Sequence, residues 1–338
     1  MENIRNFQEL WFVLILILFI GYSLLDGFDL GIGALMPFIG KTKEEKDILI
    51  NSIGPVWDGN EVWLVTGGGA LFAAFPHAYA TAFSGFYLAM MLVLFALIFR
   101  AVSIEFRTQD NAGAGAAIWE KSFFAGSAAA ALLFGVALGN VVYGVPLDNK
   151  MEFTGNFFTL LRPVPLLFGI TGFTAILLQG ASYAVMKTEG ELQERSFRAV
   201  SILMRVNLII AIVYFLTMAF TFQDITSNWL FYIAVLWTVL WLSAISFSVK
   251  HKNDSSPFWE SSFAFIGLWL AVAAVHFPNL IKASNDQNMS ITIYNSSTGL
   301  QTLKLMSVIA LIGMPVVIAY TIFVYRIFKG KAKSSEHY

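Results

Sequence analysis

Nine stretches of the chain are apolar over roughly the 20 residues needed to cross the hydrocarbon core of a membrane. They run over about residues 10–35, 60–75, 79–100, 118–140, 163–186, 201–222, 228–249, 259–280 and 304–327. The second is the shortest, and its helix is expected to begin as early as Pro55, since proline suits a first helical turn. Between the first two lies Lys41-Thr42-Lys43-Glu44-Glu45-Lys46-Asp47, followed by Ile48-Leu49-Ile50. That pattern predicts a short amphipathic helix on the membrane surface. The first apolar run lacks a basic leader and a small-residue cleavage site, so it is expected to be retained as a helix. Residues 141–162 and 281–303 are polar connections, and the second alternates briefly enough to predict an ordered loop with a short strand.

The pattern repeats. Trp119-Glu120-Lys121-Ser122-Phe123 opens the fourth stretch and Trp259-Glu260-Ser261-Ser262-Phe263 opens the eighth. Phe86-Tyr87-Leu88-Ala89 is matched by Phe231-Tyr232-Ile233-Ala234, and Leu25-Asp26-Gly27 by Leu178-Gln179-Gly180. The matches are 140, 145 and 153 residues apart and keep their order. Stretches one to four and five to eight therefore read as two copies of one four-helix unit. An even number of spans per unit gives both copies the same orientation, about an axis along the membrane normal. The expected fold is an all-α membrane protein of nine transmembrane helices, two parallel four-helix repeats plus one extra helix. The expected units are 1–140, 141–280, and 281–338, the last holding a loop, the ninth helix and a tail.

Composition agrees with a membrane setting. Of 338 residues 57% are hydrophobic and 13% charged, about half the charge of a soluble domain. The net charge of −1 comes with no basic tract, which argues against a nucleic-acid partner. Cysteine is absent, which excludes disulfides, thiolate metal sites and a cysteine nucleophile. Lys and Arg are unevenly distributed between alternate connections, 14 against 5 with Lys121 and Arg205 at helix starts left out. The richer side is expected to be cytoplasmic, which puts the N-terminus outside and the C-terminus inside.

Four acids stand out against this background. Asp26 and Asp29 fall late in the first stretch and share a helix face. Asp58 and Glu61 have the same spacing at the start of the second. If Phe38 marks the end of the first span, Asp29 lies on the order of 13 Å inside it, at about 1.5 Å per residue. Acids at such depth are costly and mark function, or burial against a base or partner. Asp58 and Glu61 also suit a helix N-terminus, where they favour the macrodipole. Crowded carboxylates in low dielectric have coupled, raised proton affinities, the chemistry of a proton relay. The second copy carries Gln179 and Ser182 where the first has Asp26 and Asp29, so the acids belong to one copy. Arg100 is expected at the cytoplasmic edge of the third span, snorkelling or paired with Asp58 or Glu105. His77 and His276 fall at span ends beside prolines, where hydrogen bonding at the interface suits them better than haem ligation. A secondary transporter with an intramembrane carboxylate site is the alternative reading, and a purely structural scaffold a third.

The chain also resembles a known family. Gly27-Phe28-Asp29-Leu30-Gly31, the run Asn51-Ser52-Ile53-Gly54-Pro55-Val56-Trp57-Asp58-Gly59-Asn60-Glu61-Val62-Trp63, and Gln179-Gly180-Ala181-Ser182-Tyr183 are similar to subunit II of cytochrome bd quinol oxidases. So are Ala82-Phe83-Ser84-Gly85-Phe86-Tyr87 and the 283–303 loop. The resemblance implies a bacterial cytoplasmic-membrane complex that oxidises quinol and reduces O2 to water, contributing to the proton-motive force. It implies a heterodimer with a haem-bearing subunit I that holds haems b and d, while this chain binds no haem or metal. It leaves room for a small third subunit and a structural quinone. It assigns Asp58 to proton entry from the cytoplasm, with Asp29, Asp26 and Glu61 as neighbouring candidates; Arg100, from its place at the span end, is the expected charge partner.

Overall fold

A computed structural model describes residues 2–109, 114–222 and 228–334. Residues 1, 110–113, 223–227 and 335–338, which fall inside the three expected units, lie outside the described residues. Helices α1 (Glu2–Ile39), α2 (Lys43–Ile53), α3 (Trp57–Ala74), α4 (Pro76–Gly85), α5 (Tyr87–Gln109) and α6 (Ala114–Tyr143) make up the first part. Helices α7 (Pro163–Lys187), α8 (Gly190–Thr221), α9 (Trp229–Lys250), α10 (Ser256–His276) and α11 (Leu300–Ile327) follow. Eight of these are long and apolar enough to cross a membrane: α1 and α5 to α11. Helix α3 is 18 residues long and begins with Asp58, Asn60 and Glu61, whose polarity lowers its mean hydropathy. It nevertheless runs antiparallel along α1: Asn60 reaches Leu25, Trp63 lies against Gly21, and Gly67 against Phe19.

Local chemistry sets the boundaries. Thr42 caps α2: its hydroxyl accepts from the Glu45 N–H, and the Glu45 carboxylate accepts from the Lys41 and Thr42 N–H groups. The second half of α2, Leu49 to Ile53, is buried, so the expected surface helix dips into the end of the bundle. Pro76 at the first turn of α4 ends α3, because the residue before a proline is pushed out of the helical region; Phe75 has φ −135 and ψ 66. Pro163 and Pro257 likewise occupy the first turns of α7 and α10.

The helices share two ends. One carries α2 and residues 328–334. The other carries residues 144–162 and 279–299, where β1 (Asn279–Ile281) pairs antiparallel with β2 (Ile291–Thr292). The tail is strapped across the first end. Ala332 N–H donates to Lys187 O at 2.8 Å, Lys187 Nζ to Phe328 O at 2.6 Å, and Asn51 Nδ2 to Lys333 O at 3.0 Å. Lys331 pairs with Asp254 at 2.7 Å. A cluster of Trp11, Phe12, Phe75, Leu147, Ile281 and Ile291 seals the opposite end.

Helix α1 lies at the centre, against α3, α6 and α7. Its crossing with α7 depends on two glycines. A Cβ on Gly31 would fall 2.3 Å from Ile176 O, and one on Gly180 would fall 2.4 Å from the Gly31 carbonyl carbon. No side chain fits there, and the close approach puts the acidic face of α1 in the middle of the molecule. At the periphery, the most apolar stretch of α11 has no buried residue. That helix is held by Trp11, whose indole N–H reaches Leu303 O and Ser307 Oγ at 3.1 Å, and by the tail.

Candidate functional site

Asp26, Asp29 and Arg100 are all buried, with relative exposures of 0%, 0% and 1%. The expectation for Arg100 is corrected here. Helix α5 continues nine residues beyond it to Gln109, so Arg100 lies about 13 Å inside the helix end, not at an edge. Its partner is Asp26, not Asp58 or Glu105. Nη1 donates to Asp26 Oδ2 at 3.1 Å and Nη2 to Asp26 Oδ1 at 2.5 Å. The planar guanidinium matches the carboxylate with both arms, the arrangement that makes arginine suited to buried pairs. Gly126 of α6 makes this possible: a Cβ there would lie 2.5 Å from Ala96 O and 3.0 Å from Arg100 N, so the two backbones touch where Arg100 turns inward.

Asp29 sits one turn further along α1. Its Oδ2 is 4.0 Å from Arg100 Nη2 and accepts a 2.8 Å hydrogen bond from Asn60 Nδ2. The Asn60 amide also donates to Leu25 O at 3.3 Å, and its Oδ1 accepts from the Tyr325 hydroxyl of α11 at 2.8 Å. Among the described residues, Oδ1 of Asp29, Nε of Arg100 and the hydroxyl of the nearby Tyr22 have no hydrogen-bond partner. Above the site Phe28 stacks on Tyr183 at 4.0 Å, and the Tyr183 hydroxyl donates to Ser52 O of α2 at 2.8 Å. One guanidinium thus faces two carboxylates in a low-dielectric interior. The bidentate pair neutralises Asp26, and Asp29 is the acid left over. Such a triad is expensive to bury and costly to break.

The other two candidates are placed differently. Asp58, in the first turn of α3, is exposed, on a strip with Val62, Val65, Gly69 and Phe72. Glu61 is half-buried, within electrostatic reach of Arg100, Asp26 and Asp58. The structure therefore gathers Asp26, Asp29 and Arg100, leaves Asp58 on the surface of this chain, and puts Glu61 between them. Sequence reasoning missed Asn60, Tyr325 and Tyr22 as members of the site. Asn60 stands inside the long Trp-Asp-Gly-Asn run, which was its only signal. Nothing in the sequence pattern set Tyr325 apart from the other aromatics of the ninth stretch.

An ionic layer joins α2 to the ends of its neighbouring helices. Arg107 pairs with Asp47 and with Glu120 at 3.0 Å, Lys46 with Glu120 at 2.6 Å, and Arg195 with Glu45. Burial opposes the charge of Glu45, but the Lys41 N–H and the Arg195 guanidinium outweigh it and hold its carboxyl below the usual range. At the other end, His276 is buried with Nε2 3.1 Å from Leu280 O, and His77 is exposed on α4. Among the described residues no group of three or more His, Cys, Asp or Glu side chains is placed to hold a metal. A cavity of about 10 Å3 between α7, α8, α9 and α10, lined by Thr171, Asn207, Thr238 and Ser261, is water-sized and does not fit a haem or a quinone ring.

Comparison with known proteins is consistent over the whole chain. The family described as cytochrome bd terminal oxidase subunit II matches residues 7–328. The chain is 34% identical to the cytochrome bd-I ubiquinol oxidase subunit 2 of Escherichia coli K12, over 94% of this chain and 92% of that one. It is 34% identical to a probable cytochrome oxidase subunit 2 of Haemophilus influenzae with the same coverage. It is 32% identical to the cytochrome bd ubiquinol oxidase subunit 2 of Bacillus subtilis over 98% of both. A chain in the structure of the bd oxidase from Geobacillus thermodenitrificans has the same fold, with a TM-score of 0.79 at 14% identity, covering 96% of this chain and 98% of that one.

Proposed function

This chain belongs to the cytochrome bd terminal oxidase subunit II family, and on that premise we propose that it is the haem-free subunit of a bacterial complex that oxidises quinol and reduces O2 to water. It scaffolds a haem-bearing subunit I in the cytoplasmic membrane and passes cytoplasmic protons toward the O2 site of that partner. Haems b and d, held by subunit I, supply the redox chemistry; a third small subunit and a structural quinone fit the same assembly. The α2 end, where most Lys and Arg lie, faces the cytoplasm, and α3 is the ninth crossing. Residues 1–140 and 141–280 are two copies of one unit. In support, the contacts of α1 with α3 and α6, and of α5 with α6, have counterparts in those of α7 with α8 and α10, and of α9 with α10.

The observation that carries this reading is the position of Asp58. An acid on a lipid-facing strip is costly. Asp58 is exposed here beside Val62, Val65 and Phe72, so that strip is a protein-covered face, and Asp58 meets the partner. Behind it Glu61 leads to the buried pair of Asp26 and Arg100. Protons taken from the α2 side enter at Asp58 and pass along these acids toward the O2 site of the partner. The chain's own groups thus hold and hand on protons, while the electrons stay with the partner. In an assembled, haem-replete complex, Asp58→Asn lowers O2 turnover at least tenfold. Unchanged turnover in that complex rejects Asp58 as the obligatory route. The transporter alternative predicts instead a chain that purifies alone and without haem.

A further inference from the structure

The site contains one connection that the proton path does not use. Asn60 cannot relay a proton as a carboxylate does, since its amide is neutral in either direction. Yet it touches Asp29, Leu25 and Tyr325 at once. The Leu25 carbonyl is only an acceptor. The atom shared between Leu25 O and Asp29 Oδ2 is therefore the NH2, and the Asn60 oxygen faces Tyr325. The Tyr325 hydroxyl donates into that oxygen at 2.8 Å, which fixes the amide in this orientation. The consequence falls on Asp29. Its Oδ2 is committed as an acceptor to Asn60 and lies 4.0 Å from Arg100, whereas its Oδ1 has no hydrogen-bond partner among the described residues.

Helix α11 reaches this site from the periphery, and its placement is secured independently. Trp11 holds its first turns, and the tail strap across Lys187, Asn51 and Asp254 holds the residues that follow it. The Tyr325 ring also meets Phe28 edge-on at 6.5 Å, next to Asp29 in α1. The hydroxyl is thus delivered to Asn60 by a helix anchored at both ends.

We infer that Tyr325, acting through Asn60, is a positioning residue for Asp29: it holds Oδ2 as an acceptor and leaves Oδ1 as the atom that takes up and releases the proton. The step is a protonation only; carboxylate and proton give the acid at Oδ1, with no change of oxidation state. This rests on the reading of the chain as a proton-delivering subunit, and the test separates the two.

The experiment uses the purified, haem-replete complex carrying Tyr325→Phe, which keeps the ring and removes one hydroxyl. Infrared difference spectra between acidic and neutral pH are recorded, and the Asp29 carboxylic C=O band is the one missing in Asp29→Asn. The expected result is that Tyr325→Phe shifts that band, displaces the pH profile of turnover and slows turnover about fivefold, the worth of one hydrogen bond, at unchanged KM for quinol. Asn60→Leu reproduces the shift, and the double variant adds nothing, since both act through one contact. An Asp29 band and a pH profile unchanged in Tyr325→Phe overturn the inference, as does the absence of any Asp29 band in the wild-type complex. Wild-type turnover in Asp29→Asn, by contrast, removes Asp29 from proton delivery while the band still decides whether Tyr325 positions it.

Discussion

In α1, Asp26 is buried against Arg100; 153 residues later, at the matching place in α7, Gln179 is buried against Ser261 and Ser262. Both side chains have zero exposure and both are satisfied by two hydrogen bonds. The place of Arg100, carried forward by 145 residues, is taken by Ile245, also fully buried. Ser182 stands for Asp29. The second arrangement closes a polar helix crossing with neutral groups alone. It shows that this kind of helix packing has no need of charge, and a neutral or apolar replacement of a buried ion pair is often no less stable. The triad of Asp26, Asp29 and Arg100 is thus an added expense in the first half, and an expense of that kind inside a membrane marks work that charges do.

The comparison can be broken most forcefully at Arg100. Arg100→Leu leaves Asp26 buried without its base, and about 3–5 kcal/mol of stability should be lost, read as a lowered thermal midpoint and poor recovery of the complex. Ile245→Leu, at the matching place, exchanges one aliphatic residue for another and should cost less than about 1.5 kcal/mol. The crossing itself comes next. Gly180→Val drives two methyl groups into the α1 backbone and should cost about 1–3 kcal/mol or more, because the Gly31 carbon lies 2.4 Å from where a Cβ would be. In the neutral centre, Gln179→Leu should cost about 1 kcal/mol and leave turnover unchanged. Ser261 and Ser262 keep their bonds to Phe258 O at 3.0 and 2.7 Å when Gln179 is gone, so neither is orphaned.

The smallest effect lies in the ionic layer at the α2 end. The Glu45 carboxyl is held below its usual value, so its contribution is fully present above about pH 4.3 and fades as pH falls through the lowered folded-state value. Glu45→Gln should lower the neutral plateau of a thermal-midpoint profile and flatten its acid limb, converging with the wild type at low pH where the carboxylate contributes nothing. A deficit that persists at low pH would instead show that the capping of α2 matters more than the charge, since Gln retains only part of the capping box.

Much of this was legible in the hydrophobic pattern. The long spans and the two polar loops rest on periodicity and spacing, which the helices obey. The α2 helix was legible through its charged and then apolar residues, but not its burial, because its second half is covered by α1 and α7 and not by a membrane surface. Helix α3 is ambiguous by composition for the reason that makes it interesting: Asp58, Asn60 and Glu61 depress the apolar signal where the site is built. Arg100 was misplaced at an edge because span ends are drawn where polarity returns, and a buried arginine looks the same as a terminal one. Asn60 and Tyr325 meet across 265 residues, a pairing that no local pattern encodes.

The central claim is that the charges of the first half serve proton delivery and not folding. The most direct measurement is quinol-driven O2 consumption by the haem-replete complex carrying Asp26→Gln, Asp29→Ser and Arg100→Ile together, which gives the first half the residues of the second at all three places. The account predicts a complex that assembles with near wild-type thermal stability and turns over at least tenfold more slowly. A stable complex with undiminished turnover would contradict it.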